Sequence, residues 1–209
     1  MGTNRLESFS DGVIAVAITL LVLGLNVPQV SSPHSHETLA HALLRNWPQD
    51  AAYVVSFLTI GIIWINHHVM INRLREADHS ILILNLLLLM SIGILPFATS
   101  LMAAYLRQSR GQSVAAAVYA GAFLVMSIMF AALNRQILLN RSHMLAPELA
   151  LEQRRRILNR SRTGLVPYVI ATPLAFVSPY ITLGICAAVA FYYALPIAGG
   201  IERRSSNTR

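Results

Sequence analysis

The chain is divided into apolar runs of about the length of a bilayer core, and this spacing restricts the fold more than any other feature. A helix needs roughly 20 apolar residues to cross the hydrocarbon. Helices and closed barrels are the only structures that satisfy their own backbone groups there. Six segments reach or approach that length, at about 8–27, 49–71, 80–106, 113–138, 163–180 and 181–201. Only 12% of the residues are charged, against about 25% in soluble domains, and the mean hydropathy is +0.56. The expectation is an all-α integral membrane protein with six transmembrane helices, forming a single domain over residues 1–209. Pro167, Pro173 and Pro179 interrupt the fifth segment, and Pro179-Tyr180 reads as the turn of a tight hairpin into the sixth. Pro96 is expected to kink the third segment near its outer end.

Loop charge orients these spans. Thirteen arginines fall at the N-terminus, in the 72–79 loop, in the 139–162 linker with Arg135 just before it, and in the C-terminal tail, whereas Arg45, Arg107 and Arg110 alone fall on the other side. The positive-inside rule therefore puts both termini in the cytoplasm, as an even number of spans requires. All 16 basic residues are arginine and the net charge is +7, but they lie in loops and form no basic stripe, so a nucleic-acid partner is not expected. Cys186 stands alone in an apolar segment, which excludes a disulfide framework and a cysteine metal site. Glu7 and Asp11 follow Arg5 with no small-residue cleavage site after the apolar run, so the first helix is expected to be retained.

In the first outer loop, His34, His36, Glu37 and His41 could loosely bind a metal, but they read as a solvated loop followed by a short interfacial helix over about 37–46. The 139–162 linker, with Leu145, Leu149, Ile157 and Leu158 around Arg154 to Arg156, reads as an amphipathic segment on anionic lipid. No cofactor or metal is expected.

Asp11 is the costly residue. A carboxylate one turn inside an apolar helix costs about 2.5–3.5 kcal/mol on insertion scales and marks a functional site by default. At 100° per residue, Val16, Leu20 and Leu23 share one face, with Thr19 beside it, and Asp11 lies about 140° away. If Asp11 turns inward, that apolar stripe faces something else. The second span ends at the same inner level and brings Trp64, Asn66, His67 and His68 to Phe9, Ser10 and Asp11. With Arg5 these residues read as a hydrogen-bonded clamp between the first two helices. Asn85 reads as an interhelical hydrogen bond. His67 and His68 diverge by about 100° on a helix and suit no shared metal ion. Ser10 and Asp11 with a histidine do not present a hydrolase triad in series, so an enzyme is not expected. A proton-coupled secondary transporter using Asp11 and His67/His68 is the alternative reading.

Arg5-Leu6-Glu7-Ser8-Phe9-Ser10-Asp11-Gly12, followed by Ala15 to Leu23, resembles the signature that opens each repeat of the transmembrane protein 175 family of potassium channels. The likeness extends to Trp64 through His68, to Asn85 with its leucine run and to Pro96-Phe97. It implies a prokaryotic single-repeat member in the plasma membrane, assembled as a homotetramer in which the first helix of each subunit lines a central pore. The Thr-Val-Gly-Tyr-Gly filter of ordinary potassium channels is absent from this sequence. Carried over by position, Val16 forms the narrowest apolar ring, with further rings at Leu20 and Leu23 and polar lining from Thr19. Potassium is then the permeant ion. Relatives commonly carry isoleucine at the position of Val16, so the ring here is one methylene wider on each side.

Overall fold

Six of the described helices start where a polar side chain caps them or a proline opens them. The computed structural model describes residues 3–27, 38–145 and 150–195. Helix α1, Thr3–Leu20, passes into a 3-10 turn at Leu21–Gly24. Thr38 caps the short α2, Leu39–Arg45, by accepting the His41 N–H. Pro48 lies in the first turn of α3, Trp47–Ile71, where its missing N–H costs nothing. Asp78 caps α4, His79–Gly93, by accepting the Ile81 N–H at 2.9 Å. The chain then breaks at Ile94, and α5, Leu95–Tyr105, starts with Pro96 in its first turn, so the expected kink is a short interruption between two helices.

Gly111 precedes α6, Gln112–Arg135, with a φ of +84°, a left-handed conformation that favours glycine. Helix α6 widens at its C-terminal end into a π segment, Gln136–Asn140, and a 3-10 turn follows at Ser142–Met144. Three further helices complete the described residues: α7, Leu151–Thr163; α8, Val166–Leu174; and α9, Pro179–Ala194.

The architecture is all-helical, apart from an isolated antiparallel bridge between Leu74 and Leu145. Four stretches among the described residues are long and apolar enough to cross a membrane: Thr3–Gly24, Trp47–Ile71, His79–Tyr105 and Gln112–Asn140. The expected fifth and sixth spans come out shorter, as α8 with 9 residues and α9 with 16. The cause is local. Pro167 starts a new helix two residues after α7 ends, and Ser178 caps α9 by accepting the Ile181 N–H. Pro179 and Tyr180 are accordingly the first residues of α9, not the turn, which falls just before them. The short helix expected over 37–46 is present as α2; the His34, His36 and Glu37 cluster and Leu149 lie outside the described residues.

Helix α6 is the centre of the packing. It lies against α4, α5, α8 and α9 and contributes Tyr119, Phe123 and Met126 to a core completed by Leu88, Ile92, Leu95 and Met102. Ser56, Thr99 and Tyr119 meet through their hydroxyls, with Ser56 Oγ 2.7 Å from Thr99 Oγ1 and 3.2 Å from the Tyr119 hydroxyl. This joins α3, α5 and α6 inside the apolar interior. The 3-10 end of α1 rests on α5 so closely that a Cβ on Gly24 would collide with the Ser100 side chain.

On the opposite side of the protein, Arg141 donates to the Asp78 carboxylate and the Arg75 N–H donates to the Met144 carbonyl at 2.8 Å. The loop before α4 and the segment after α6 are thereby stapled together. The capped Ile81 N–H and then the Arg141 guanidinium hold the Asp78 carboxyl below the usual carboxylate range. A folded-state value below the unfolded one stabilises the fold at neutral pH, and the contribution disappears as pH falls through the acid range. Asp78→Ala is expected to cost about 1–2 kcal/mol through the lost cap and ion pair. The cost is measured as a lower melting temperature at pH 7 in detergent. The gap to the wild type should close below about pH 4, and a gap independent of pH would show that the carboxylate charge plays no part.

Candidate functional site

One side of α1 is buried and the other is open. Leu6, Ser10, Ile14, Ala17 and Leu21 are buried against the other helices of the chain. On the other side, Val16 is 56% exposed, Leu20 43% and Leu23 75%. Thr19 is exposed beside them, and its hydroxyl donates to the Val16 carbonyl at 2.9 Å. The helix therefore presents an apolar stripe that the rest of the chain does not cover.

The polar groups on the N-terminal half of α1 reach two other helices. The Trp64 indole Nε1 donates to Asp11 Oδ1 at 2.8 Å. One turn away on both helices, His68 Nδ1 lies 2.7 Å from Glu7 Oε1. Helices α1 and α3 are antiparallel, so residues four apart on one meet residues four apart on the other, and the two contacts form successive rungs.

A third connection is fully buried. The Ser10 hydroxyl donates to the Leu6 carbonyl at 2.8 Å, Asn85 Nδ2 donates to Ser10 Oγ at 3.0 Å, and His67 Nε2 lies 2.7 Å from Asn85 Oδ1. With the Asn85 amide donating to Ser10, its oxygen accepts, which puts the His67 proton on Nε2. His67 Nδ1 then remains a buried lone pair with no partner among the described residues.

The residues singled out in the sequence separate into two groups. Ser10, Asp11, Trp64, His67 and His68 take part in these contacts. Arg5 and Phe9 lie on the exposed side of α1, and the Asn66 amide turns back to the Ile62 carbonyl of its own helix at 2.7 Å. Glu7, absent from the clamp read from the sequence, has a place in the second rung; its spacing of four from Asp11, matching the spacing of Trp64 from His68, is the available signal. Glu7, Asp11 and His68 offer ligand atoms within 4.8 Å of one another. Each already has a protein partner, however, as expected of a strut between helices.

The arrangement predicts unequal effects of two neighbouring substitutions. Trp64→Phe keeps the ring and removes the donor to Asp11, an expected loss of about 1–3 kcal/mol, measured as thermal stability in detergent. Asn66→Ala, at an exposed amide bonded within its own helix, should stay within about 0.5 kcal/mol. Equal effects would mean that the indole bond carries no weight.

Comparison with known proteins covers the stripe and the clamp together. The family described as endosomal/lysosomal potassium channel TMEM175 matches residues 5–96. A potassium channel of Streptomyces collinus is 41% identical over 191 residues, covering 91% of this chain and 91% of that protein. The crystal structure of a lysosomal potassium-selective channel TMEM175 homolog from Chamaesiphon minutus matches with a TM-score of 0.80 at 38% identity, covering 92% of this chain and 96% of that one. The endosomal/lysosomal proton channel TMEM175 of Homo sapiens is 32% identical over 183 residues, which are 85% of this chain and 36% of the human protein. The resemblance carried by the opening motif thus extends over nearly the whole length, and the chain belongs to the TMEM175 family.

Proposed function

We propose that the protein is a potassium-preferring cation channel of the cytoplasmic membrane, a homotetramer whose four α1 helices line a central pore. The observation that carries this reading is the uncovered stripe of Val16, Leu20 and Leu23 on a helix whose opposite face is buried in its own subunit. The names of the relatives at 41% and 38% identity support potassium as the ion. Four copies of the stripe facing one axis make stacked apolar rings. Such rings gate by dewetting, closing when narrow and conducting when the helices separate.

Apolar rings cannot replace an ion's hydration shell, so discrimination rests on the different dehydration costs of potassium and sodium and should be modest. Thr19 adds hydroxyls beside the rings; each oxygen keeps acceptor capacity while its proton is held by the Val16 carbonyl. Asp11 acts as a strut. Its carboxylate is held by Trp64 on the side away from the stripe, so it sets the tilt of α1 rather than meeting the ion. The proton-coupled reading through Asp11, His67 and His68 loses support from the same contacts, since Asp11 and His67 are already engaged in bonds between helices.

Potassium flux into proteoliposomes, with sodium for comparison, tests this directly. Wild type should give a passive, non-saturating flux, and Val16→Phe should reduce it by at least tenfold. Asp11→Ala should lower the tetramer fraction or the flux without changing the potassium-to-sodium ratio. Flux that ignores Val16 and requires a proton gradient would replace the channel by a transporter.

A further inference from the structure

Helix α7 carries Arg154, Arg155, Arg156, Arg160 and Arg162 against one acid, Glu152, within 13 residues. Leu158 is buried and Ile157 packs on the core. At 100° per residue, Arg154 and Ser161 fall on that same inward face. Arg154 Nε and Ser161 Oγ are both buried, with no hydrogen-bond partner among the described residues. A buried donor without an acceptor costs about 1–3 kcal/mol, so both atoms call for an acceptor. Arg155 and Arg162 are exposed and stack on one flank of this face, about 80–100° round the helix.

The level of α7 in the membrane follows from its neighbours. Two residues after it ends, α8 begins with Val166, Val169 and Ile170 exposed, a surface suited to lipid tails. At the other edge, the Arg160 guanidinium sits 5.7 Å from the centroid of the Tyr193 ring, near the end of α9. Tyrosine favours the headgroup level. Helix α7 therefore lies where phosphates are, on the side that the arginine count makes cytoplasmic. Its free donors spread over about 10 Å of helix, the separation of adjoining headgroups rather than the size of one small anion.

We propose that α7 is a lipid-binding helix, on which Arg154, Arg155, Ser161 and Arg162 hold the phosphates of anionic phospholipids at the inner membrane surface. Turned outward about its side-chain torsions, Arg154 gains in a phosphate oxygen the charge-assisted acceptor that its Nε lacks in the buried conformation. The basic flank supplies long-range attraction to the anionic leaflet. The site does not depend on which ion the protein conducts.

The test is native mass spectrometry of the full-length protein, released from detergent with added phosphatidylglycerol or phosphatidylcholine. Wild type should retain phosphatidylglycerol preferentially. Arg155→Gln combined with Arg162→Gln alters exposed side chains, so the fold should persist, and retention should fall about fivefold for each arginine removed. Arg154→Gln should weaken retention as well, with Arg154→Lys restoring part of it. Arg110→Gln, at an exposed loop arginine on the opposite side, should leave retention unchanged. Three results would each overturn the proposal: equal retention of the two lipids, an equal loss in Arg110→Gln, or release of the lipid by millimolar inorganic phosphate, which would mark a site for the free anion.

Discussion

The rotation of α1 about its own axis is fixed by hydrogen bonds, and the rest of the site depends on that rotation. Hydrocarbon does not choose between faces of an apolar helix, since lipid tails are as apolar as leucine. Val13, Val16, Leu20 or Leu23 can face lipid, protein or a pore at similar cost. Asp11 has no such freedom, because an ionisable group left in the hydrocarbon costs about 2.5–3.5 kcal/mol, and the buried Ser10 hydroxyl needs hydrogen-bond partners. Their bonds to Trp64 and Asn85 pull one side of α1 against α3 and α4. Turning the helix by one residue would move both partners about 100° out of reach. The apolar stripe faces outward as a consequence of where the polar groups point.

A second layer of polar contacts keeps the frame behind α1 in register. The hydroxyls of Ser56, Thr99 and Tyr119 tie α3 to α5 and α6 in the interior. The Asp78 and Arg141 pair ties the start of α4 to the end of α6. Helices packed by apolar contact alone can slide in a membrane at small cost. A few hydrogen bonds with fixed partners cannot slide, and here each joins helices that are distant in sequence.

Much of this was legible in the sequence. The antiparallel order of the first two spans put Trp64 and Asp11 at one level, and the 100° step put Val16, Leu20 and Leu23 on the face away from Asp11. Both follow from helix geometry and need no knowledge of neighbours. The histidine pair was only half legible. Adjacent helical positions diverge, but only the packing shows that His67 goes to the buried Asn85 and His68 to Glu7. Nor does the sequence show where the Asn66 amide goes, since an amide at a helix surface can satisfy itself on the carbonyl four residues back, as Asn66 does on Ile62. Apolar content persists across proline, so the sequence does not show where α8 and α9 begin and α8 ends. Pro179 suits a turn and the first turn of a helix equally well, and what decided between them was Ser178 as the cap.

The placement of these bonds also constrains how a pore built from α1 could change width. Near its inner end, α1 is pinned by Glu7, Ser10 and Asp11. At its outer end, the 3-10 turn places Gly24 against Ser100, and just beyond it the Asn26 N–H donates to Gln49 of α3 at 2.9 Å. Val16 sits between the two anchors, on the free face. With both ends of the helix tied to the same chain, rotation of α1 alone would break the buried bond between Asn85 and Ser10, which has no replacement in hydrocarbon. On the channel reading, the ring at Val16 therefore widens when whole subunits tilt apart, or when the segment between the anchors bows, and the clamp transmits movement of α3 and α4 to the constriction.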